Sequence, residues 1–194
     1  MKILLITIWC LIPIGLAAYH FGPGQQQLKL DDAEALLSEA RTAVKEEDWP
    51  ATVEAYQHAL RKLPQENAKL AYRIRLETAK AKMLASQLPE AREDLEQLVH
   101  DLDDDQESAQ PLRDEARSAL ANARYYMTYL MKLEGLPDSS WEPEIEAARQ
   151  EYKLLATSAT SPALAKESSD NLEAAIRLAR TDPSELYGLP IPNQ

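Results

Sequence analysis

Between Gln25 and Glu134 the chain contains no glycine. A stretch this long without the residue that most readily turns the backbone is poorly suited to strands joined by tight hairpins. Its apolar residues recur instead at intervals of three and four. Asp31-Asp32 precedes Ala33, Leu36, Leu37, Ala40 and Val44, a stripe along one face of a helix. Strand formers are scarce: the valines are Val44, Val53 and Val99, and phenylalanine occurs once. Ala, Leu, Glu, Lys, Arg and Gln dominate, and these lose least on entering a helix. The expected fold class is therefore all-α, with seven helices across 31–180 and no sheet.

The breaks between helices are equally legible. Glu47-Asp48 interrupts the first stripe, and Trp49-Pro50 opens a second helix bearing Val53, Tyr56, Ala59 and Leu60. Leu63-Pro64 ends it, since proline disfavours helix at the residue before it. A third helix runs from about Asn67 to Leu84, and Gln87-Leu88-Pro89 restarts the chain into a fourth with Ala91, Leu95, Leu98 and Val99. The fifth, Gln110 to Leu133, presents Ala116, Leu120, Ala123, Met127 and Leu130, and Gly135-Leu136-Pro137 stops it. Ser139, with Glu142 three residues on, predicts a capping box for a sixth helix with Ile145, Ala148, Tyr152 and Leu155 inward. Ser161-Pro162 opens a seventh, with Leu164, Ala165, Leu172, Ile176 and Ala179 as its inner stripe.

The first two helix pairs superimpose at a constant offset. Ala40 falls on Ala79, Trp49 on Leu88, Pro50 on Pro89, Thr52 on Ala91, Tyr56 on Leu95, Ala59 on Leu98 and Leu60 on Val99. Small residues fall where two helices must approach closely, and the prolines fall in a first turn, where a missing N–H costs nothing. In the third pair Ala148, Tyr152 and Leu155 echo Thr52, Tyr56 and Ala59. This pattern resembles the tetratricopeptide repeat, a helix-turn-helix unit of ~34 residues. The likeness is carried best by Glu47 to Pro64, EDWPATVEAYQHALRKLP, through Trp49, Tyr56, Ala59 and Pro64. Asp103 stands where the second unit would close on proline, and Ala40 and Ala79 replace the usual glycine. The resemblance implies a TPR-like solenoid of about three helix pairs over 31–180, with the seventh helix covering its open end. It also implies a protein or peptide partner held in a concave groove; no cofactor is expected.

Ahead of the repeats, Ile3 to Phe21 carries no Asp, Glu, Lys or Arg and is close to the ~20 residues that span a bilayer. Lys2 supplies a short positive flank, which favours a cytoplasmic N-terminus and an exported remainder. Residues 1–21 are therefore expected to form a transmembrane signal anchor, with membrane contact through 3–21. Gly15, Ala17 and Ala18 leave open the alternative of a cleaved signal and a secreted or periplasmic binding protein. Either way the C-terminal domain is expected on the periplasmic or extracellular side. Residues 22–30, with Gly22-Pro23-Gly24 and three glutamines, read as a flexible neck. Residues 181–194 form a proline-rich apolar tail whose Leu186, Tyr187, Leu189 and Ile191 either fold back or engage a partner.

The formal net charge of −11 repels phosphate backbones, so nucleic acid is not an expected partner. Cys10, the only cysteine, lies in the apolar run and rules out an internal disulfide. Asp101, Asp103 and Asp105 alternate as in a calcium loop, yet Gln106 and Leu112 stand where glycine and a bidentate glutamate are needed. No metal site is expected. No HExxH, GxSxG or phosphate-binding loop occurs, so the chain does not read as an enzyme. The expected activity is protein-protein interaction, as an adaptor, assembly factor or accessory subunit of a complex, including a membrane complex. The candidate contact residues are Arg41, Arg73 and Lys80 on first helices, the last two seven apart on one face. Tyr125 and Tyr129, four apart, belong to an aromatic cluster on the fifth helix that is otherwise expected in the core.

Overall fold

The computed structural model describes residues 23–64 and 66–186. Among them are seven α-helices, a short 3-10 turn and no strand. The helices are α1 (Pro23–Lys45), α2 (Trp49–Lys62), α3 (Ala68–Leu84), α4 (Leu88–Asp104), α5 (Gln110–Leu133), α6 (Asp138–Ser158) and α7 (Pro162–Arg180). The fold class is all-α, and no helix among the described residues is long and apolar enough to cross a membrane. The expected anchor at 1–21 lies outside the described residues.

One connection repeats. After α1, Glu47 takes a φ of 55°, and the N–H of Asp48 donates to the carbonyl of Ala43 at 3.0 Å. After α3, Ser86 takes a φ of 61°, and the N–H of Gln87 donates to Lys82 at 2.9 Å. After α5, Gly135 takes a φ of 73°, and the N–H of Leu136 donates to Met131 at 2.9 Å. A left-handed residue followed by a bond that reaches back five positions is the Schellman ending. It turns the chain tightly enough for α2, α4 and α6 to begin within a few residues. The helices α2, α4 and α6 end differently, on extended Leu63, Asp105 and Ala159. The chain is thus three helical hairpins in which tight and open connections alternate, followed by α7.

Only the third of those turns uses the residue suited to it. Glutamate and serine at positive φ carry a strain of about 1–2 kcal/mol, whereas glycine carries essentially none. Glu47→Gly and Ser86→Gly should each raise stability by ~0.5–1 kcal/mol after the larger unfolded-state entropy of glycine is subtracted. Gly135→Ala should lower it by a similar amount. A chemical denaturation series checks the three signs together.

The repeated positions are buried in the same sense. Ala40, Ala79, Thr52, Ala91, Ala59 and Leu98 are all fully buried. Tyr56 is only half-buried, although its counterpart Leu95 is fully buried. In the third hairpin the expected triplet Ala148, Tyr152 and Leu155 is buried, and so are Trp141 and Ile145 one heptad earlier. Counting from the first residues of α4 and α6, Trp141, Ile145 and Ala148 are the true equivalents of Ala91, Leu95 and Leu98. A shift of seven residues preserves the helix face, which is why the expected triplet is also inward.

The described chain divides into two compact units, Met1–Ala71 and Tyr72–Gln194, with the boundary inside α3; the expected 31–180 domain spans both. In the first unit, Ala33, Leu37, Ala40 and Ala43 of α1 and Thr52, Val53, Ala55 and Ala59 of α2 are buried where the two helices pack. The second unit has two apolar clusters that share α5. Leu112, Ala116, Ala119, Leu120 and Ala123 join Leu76 and Ala79 of α3 and Leu95, Leu98, Val99 and Leu102 of α4. Ala121 and Tyr125 face the other way, toward Trp141, Ile145, Ala148 and Tyr152 of α6 and Ala175 and Leu178 of α7. Alanines on both sides of α5 leave room for helices to pack against it from two directions.

Four expectations about elements need correction. Residues 23–30 are not a neck: α1 begins at Pro23, because proline is tolerated in a first turn and Gln, Leu and Lys favour helix. Asp31 and Asp32 therefore lie inside α1. No capping box forms at Ser139, since α6 already starts at Asp138 behind extended Pro137. On α7 the fully buried residues are Ser168, Asn171, Ala175 and Leu178, whereas Leu164, Ala165, Leu172, Ile176 and Ala179 are half-buried. The helix is rotated so that its most apolar line sits at the edge of the contact. Leu130, expected on the inner stripe of α5, is exposed. Of the tail, Leu186 folds back and is fully buried among Tyr125, Trp141 and Leu178. Residues 187–194 lie outside the described residues.

Candidate functional site

Arg73 and Lys80 do share a face of α3, and that face is occupied. Glu115 of α5 enters between them, accepting from the Arg73 guanidinium and the Lys80 ammonium at 2.6 Å each. Lys80 also reaches Glu77 at 3.4 Å. The two cations thus clamp α3 to α5. Burial alone would raise the Glu115 carboxyl, but Lys80 and Arg73 outweigh it and hold the group below its ordinary 4.5. A carboxylate depressed on folding stabilises the protein above its unfolded value, and that stabilisation disappears as pH falls through the folded value. Wild type should therefore lose more thermal stability between pH 6 and 3 than Glu115→Gln, in which that titration is absent. Parallel melting curves for the two proteins would refute the clamp.

The other expected contacts separate. Arg41 is exposed on α1, in the first unit. Tyr125 is core: it is 2% exposed and edge-on to Tyr126, with ring centroids 6.0 Å apart. Burial, together with Tyr126, raises its phenol. Tyr129 is half-buried beside the same cluster. Of the two tyrosines, only Tyr129 retains surface for a partner.

Ion pairs stitch the second unit along both flanks of α5. Arg117 bridges Asp103 of α4 at 2.6 Å and Glu151 of α6 at 2.9 Å. One heptad on, Arg124 holds Glu96 of α4 at 2.7 Å and stands 3.7 Å from Glu144 of α6; Arg92 of α4 contacts the same two carboxylates. In the acidic stretch, Asp101 pairs with Arg75 at 2.7 Å. Arg113 closes the α4–α5 connection by donating to the carbonyls of Leu102 and Asp105. Those carboxylates serve helix packing, and no metal-binding cluster is found among the described residues.

Two buried polar positions escaped the sequence reading. Asp114 accepts from the Thr160 N–H, the Thr160 hydroxyl and Gln110, each at 2.8 Å, which fixes the α6–α7 connection to α5. Lys132 is 4% exposed, with its ammonium 3.8 Å from the Trp141 ring centre and 3.4 Å from the Ala179 carbonyl. Burial pushes this lysine down, and Asp138, Asp182 and Glu142 partly offset that. Both lie on the face of α5 opposite the Ala116, Leu120 and Ala123 stripe, and nothing in a sequence pairs Asp114 with Thr160 or Lys132 with Trp141.

One apolar patch remains uncovered. Six large hydrophobic residues are exposed among the described ones, and three fall together at the end of α5: Leu130 at 43%, Leu133 at 40% and Leu136 at 41%. The cause is a mismatch of lengths. Helix α5 has 24 residues and α3 has 17, and Glu115 between Arg73 and Lys80 sets α3 so that it ends well before α5 does. The apolar stripe of α5 therefore runs on past the end of α3. Comparison with protein-family models, with curated proteins and with solved structures finds no match.

Proposed function

We propose that this chain is a membrane-tethered helical-repeat scaffold, TPR-like in architecture, that binds another protein. It would act as an adaptor, assembly factor or accessory subunit of an extracytoplasmic complex. The observation that carries the reading is the uncovered leucine face at the end of α5, held on a frame of hairpins. Exposed aliphatic residues gathered in one place mark an interaction site, whereas the same residues scattered singly would not. Because the frame is already packed and ion-paired, a partner meets side chains in position and binding loses little ordering entropy. The uncharged run Ile3 to Phe21 supports the tether, which would raise the effective concentration of the face near membrane partners. If that run is removed as a signal, the same face serves a released binding protein.

The test is a pull-down in mild detergent from the native host, comparing the full chain with one lacking residues 1–22. A scaffold captures the same partner in both forms, with only the full chain found in the membrane fraction. Failure of both forms to enrich any protein over a helical control would refute the binding function. An N-terminal sequence of the mature protein beginning near Tyr19 would refute the tether alone.

A further inference from the structure

We propose that the uncovered end of α5 seats a cationic amphipathic helix of the partner protein, an inference that rests on the scaffold reading and names the chemistry of its partner. The register of the helices defines the seat. Glu115 lies between Arg73 and Lys80, so α3, which ends at Leu84, stops about level with residue 122 of α5. The remaining ~10 residues of α5, roughly 15 Å of helix, have no α3 alongside them. Tyr126, Leu130 and Leu133 share that side of α5 by their four- and three-residue spacing. Leu136 follows directly after the Gly135 turn.

The rim of the seat is acidic. Arg117 with Asp103 and Arg124 with Glu96 define an antiparallel register that brings Glu90, on the α3 flank of α4, level with Leu130. Glu90 and Glu134 are exposed, and no ion pair engages them among the described residues. The cations of these helices are committed elsewhere: Lys80 to Glu115, Lys82 to Asp94, and Arg92 and Arg124 to Glu96 and Glu144. Lys132 is turned to the opposite side of α5, against Trp141. An apolar strip bordered by unpaired carboxylates repels an acidic partner. A partner helix with a leucine stripe flanked by Lys or Arg fills the strip and pairs the rim.

The probe is a synthetic peptide of Leu and Lys at helical spacing, fluorescently labelled, titrated with the full chain in nonionic detergent, with detergent alone as the blank. A Leu/Glu peptide of the same spacing is the charge control. The Leu/Lys peptide should bind and the Leu/Glu peptide should not. Leu130→Ser with Leu133→Ser should weaken binding roughly tenfold or more, as loss of central apolar anchors does. Glu90→Gln with Glu134→Gln should flatten its salt dependence. These residues are all exposed, so an unchanged helical spectrum is expected for both variants. Equal binding of the two peptides, no binding of either, or full binding by the leucine variant overturns the proposal. A native partner captured equally by wild type and the leucine variant would leave the scaffold reading standing and this seat wrong.

Discussion

Tyr152→Ala should destabilise the second unit by ~3–5 kcal/mol, the cost of removing a large aromatic ring from a filled core. Tyr152 is fully buried among Tyr125, Ile145, Ala148 and Ala175, and its hydroxyl donates to Asn122 at 2.7 Å. Burial raises its phenol far above the ordinary tyrosine value. The ring and the hydroxyl are separable. Tyr152→Phe keeps the packing and leaves one acceptor on Asn122 without its donor, which costs ~1 kcal/mol. Denaturation midpoints for wild type and the two variants should fall in that order, with the alanine variant lower by roughly 10 °C or more. A phenylalanine variant as unstable as the alanine one would show that the Asn122 bond, and not the packing, holds this junction.

The second large effect is expected at Trp141. This residue is 7% exposed, opens the buried face of α6 and lies under the ammonium of Lys132. Trp141→Ala removes the indole from the α5–α6–α7 cluster and strips Lys132 of the ring that compensates its burial. A loss of ~3–5 kcal/mol is expected, of which up to about 2 belongs to the cation over the ring. Lys132→Met should cost far less, or nothing. A buried cation loses hydration that the ring and one carbonyl at 3.4 Å only partly replace, and a methionine of similar shape has no such debt. Thermal midpoints for the two variants settle the comparison. A Lys132→Met protein as damaged as Trp141→Ala would mean that the charge, not the indole, organises this corner.

Much of the fold was legible because it depends on local periodicity. Ala40, Ala79, Ala59 and Leu98 could be placed inward from spacing alone, and Gln110 and Leu133 are the observed ends of α5. The turns were legible in position but not in conformation: Glu47 and Ser86 adopt left-handed backbone without being glycine, so composition gives no sign of it. Helix α1 starts earlier than expected because an Asp pair looks like a cap whether or not a helix already runs through it. The candidate site was less legible. Arg73 and Lys80 look like free cations on a helix face until the fold brings Glu115, distant in sequence, between them. Leu130 looked like core because periodicity says which side of a helix faces inward but not how far the neighbouring helices extend. The exposed face is a consequence of relative helix lengths, and these become informative only once the register of α3 against α5 is known.

The central claim is that the end of α5 is where a partner docks. Its most direct measurement places a photoreactive amino acid at position 133 and, separately, at position 154. Leu154, on α6, is just as exposed at 44%, away from the α5 face. Illumination in the native host should give a discrete protein adduct from position 133 and none from position 154. Absence of an adduct at 133, or the same adduct from both positions, would contradict the account.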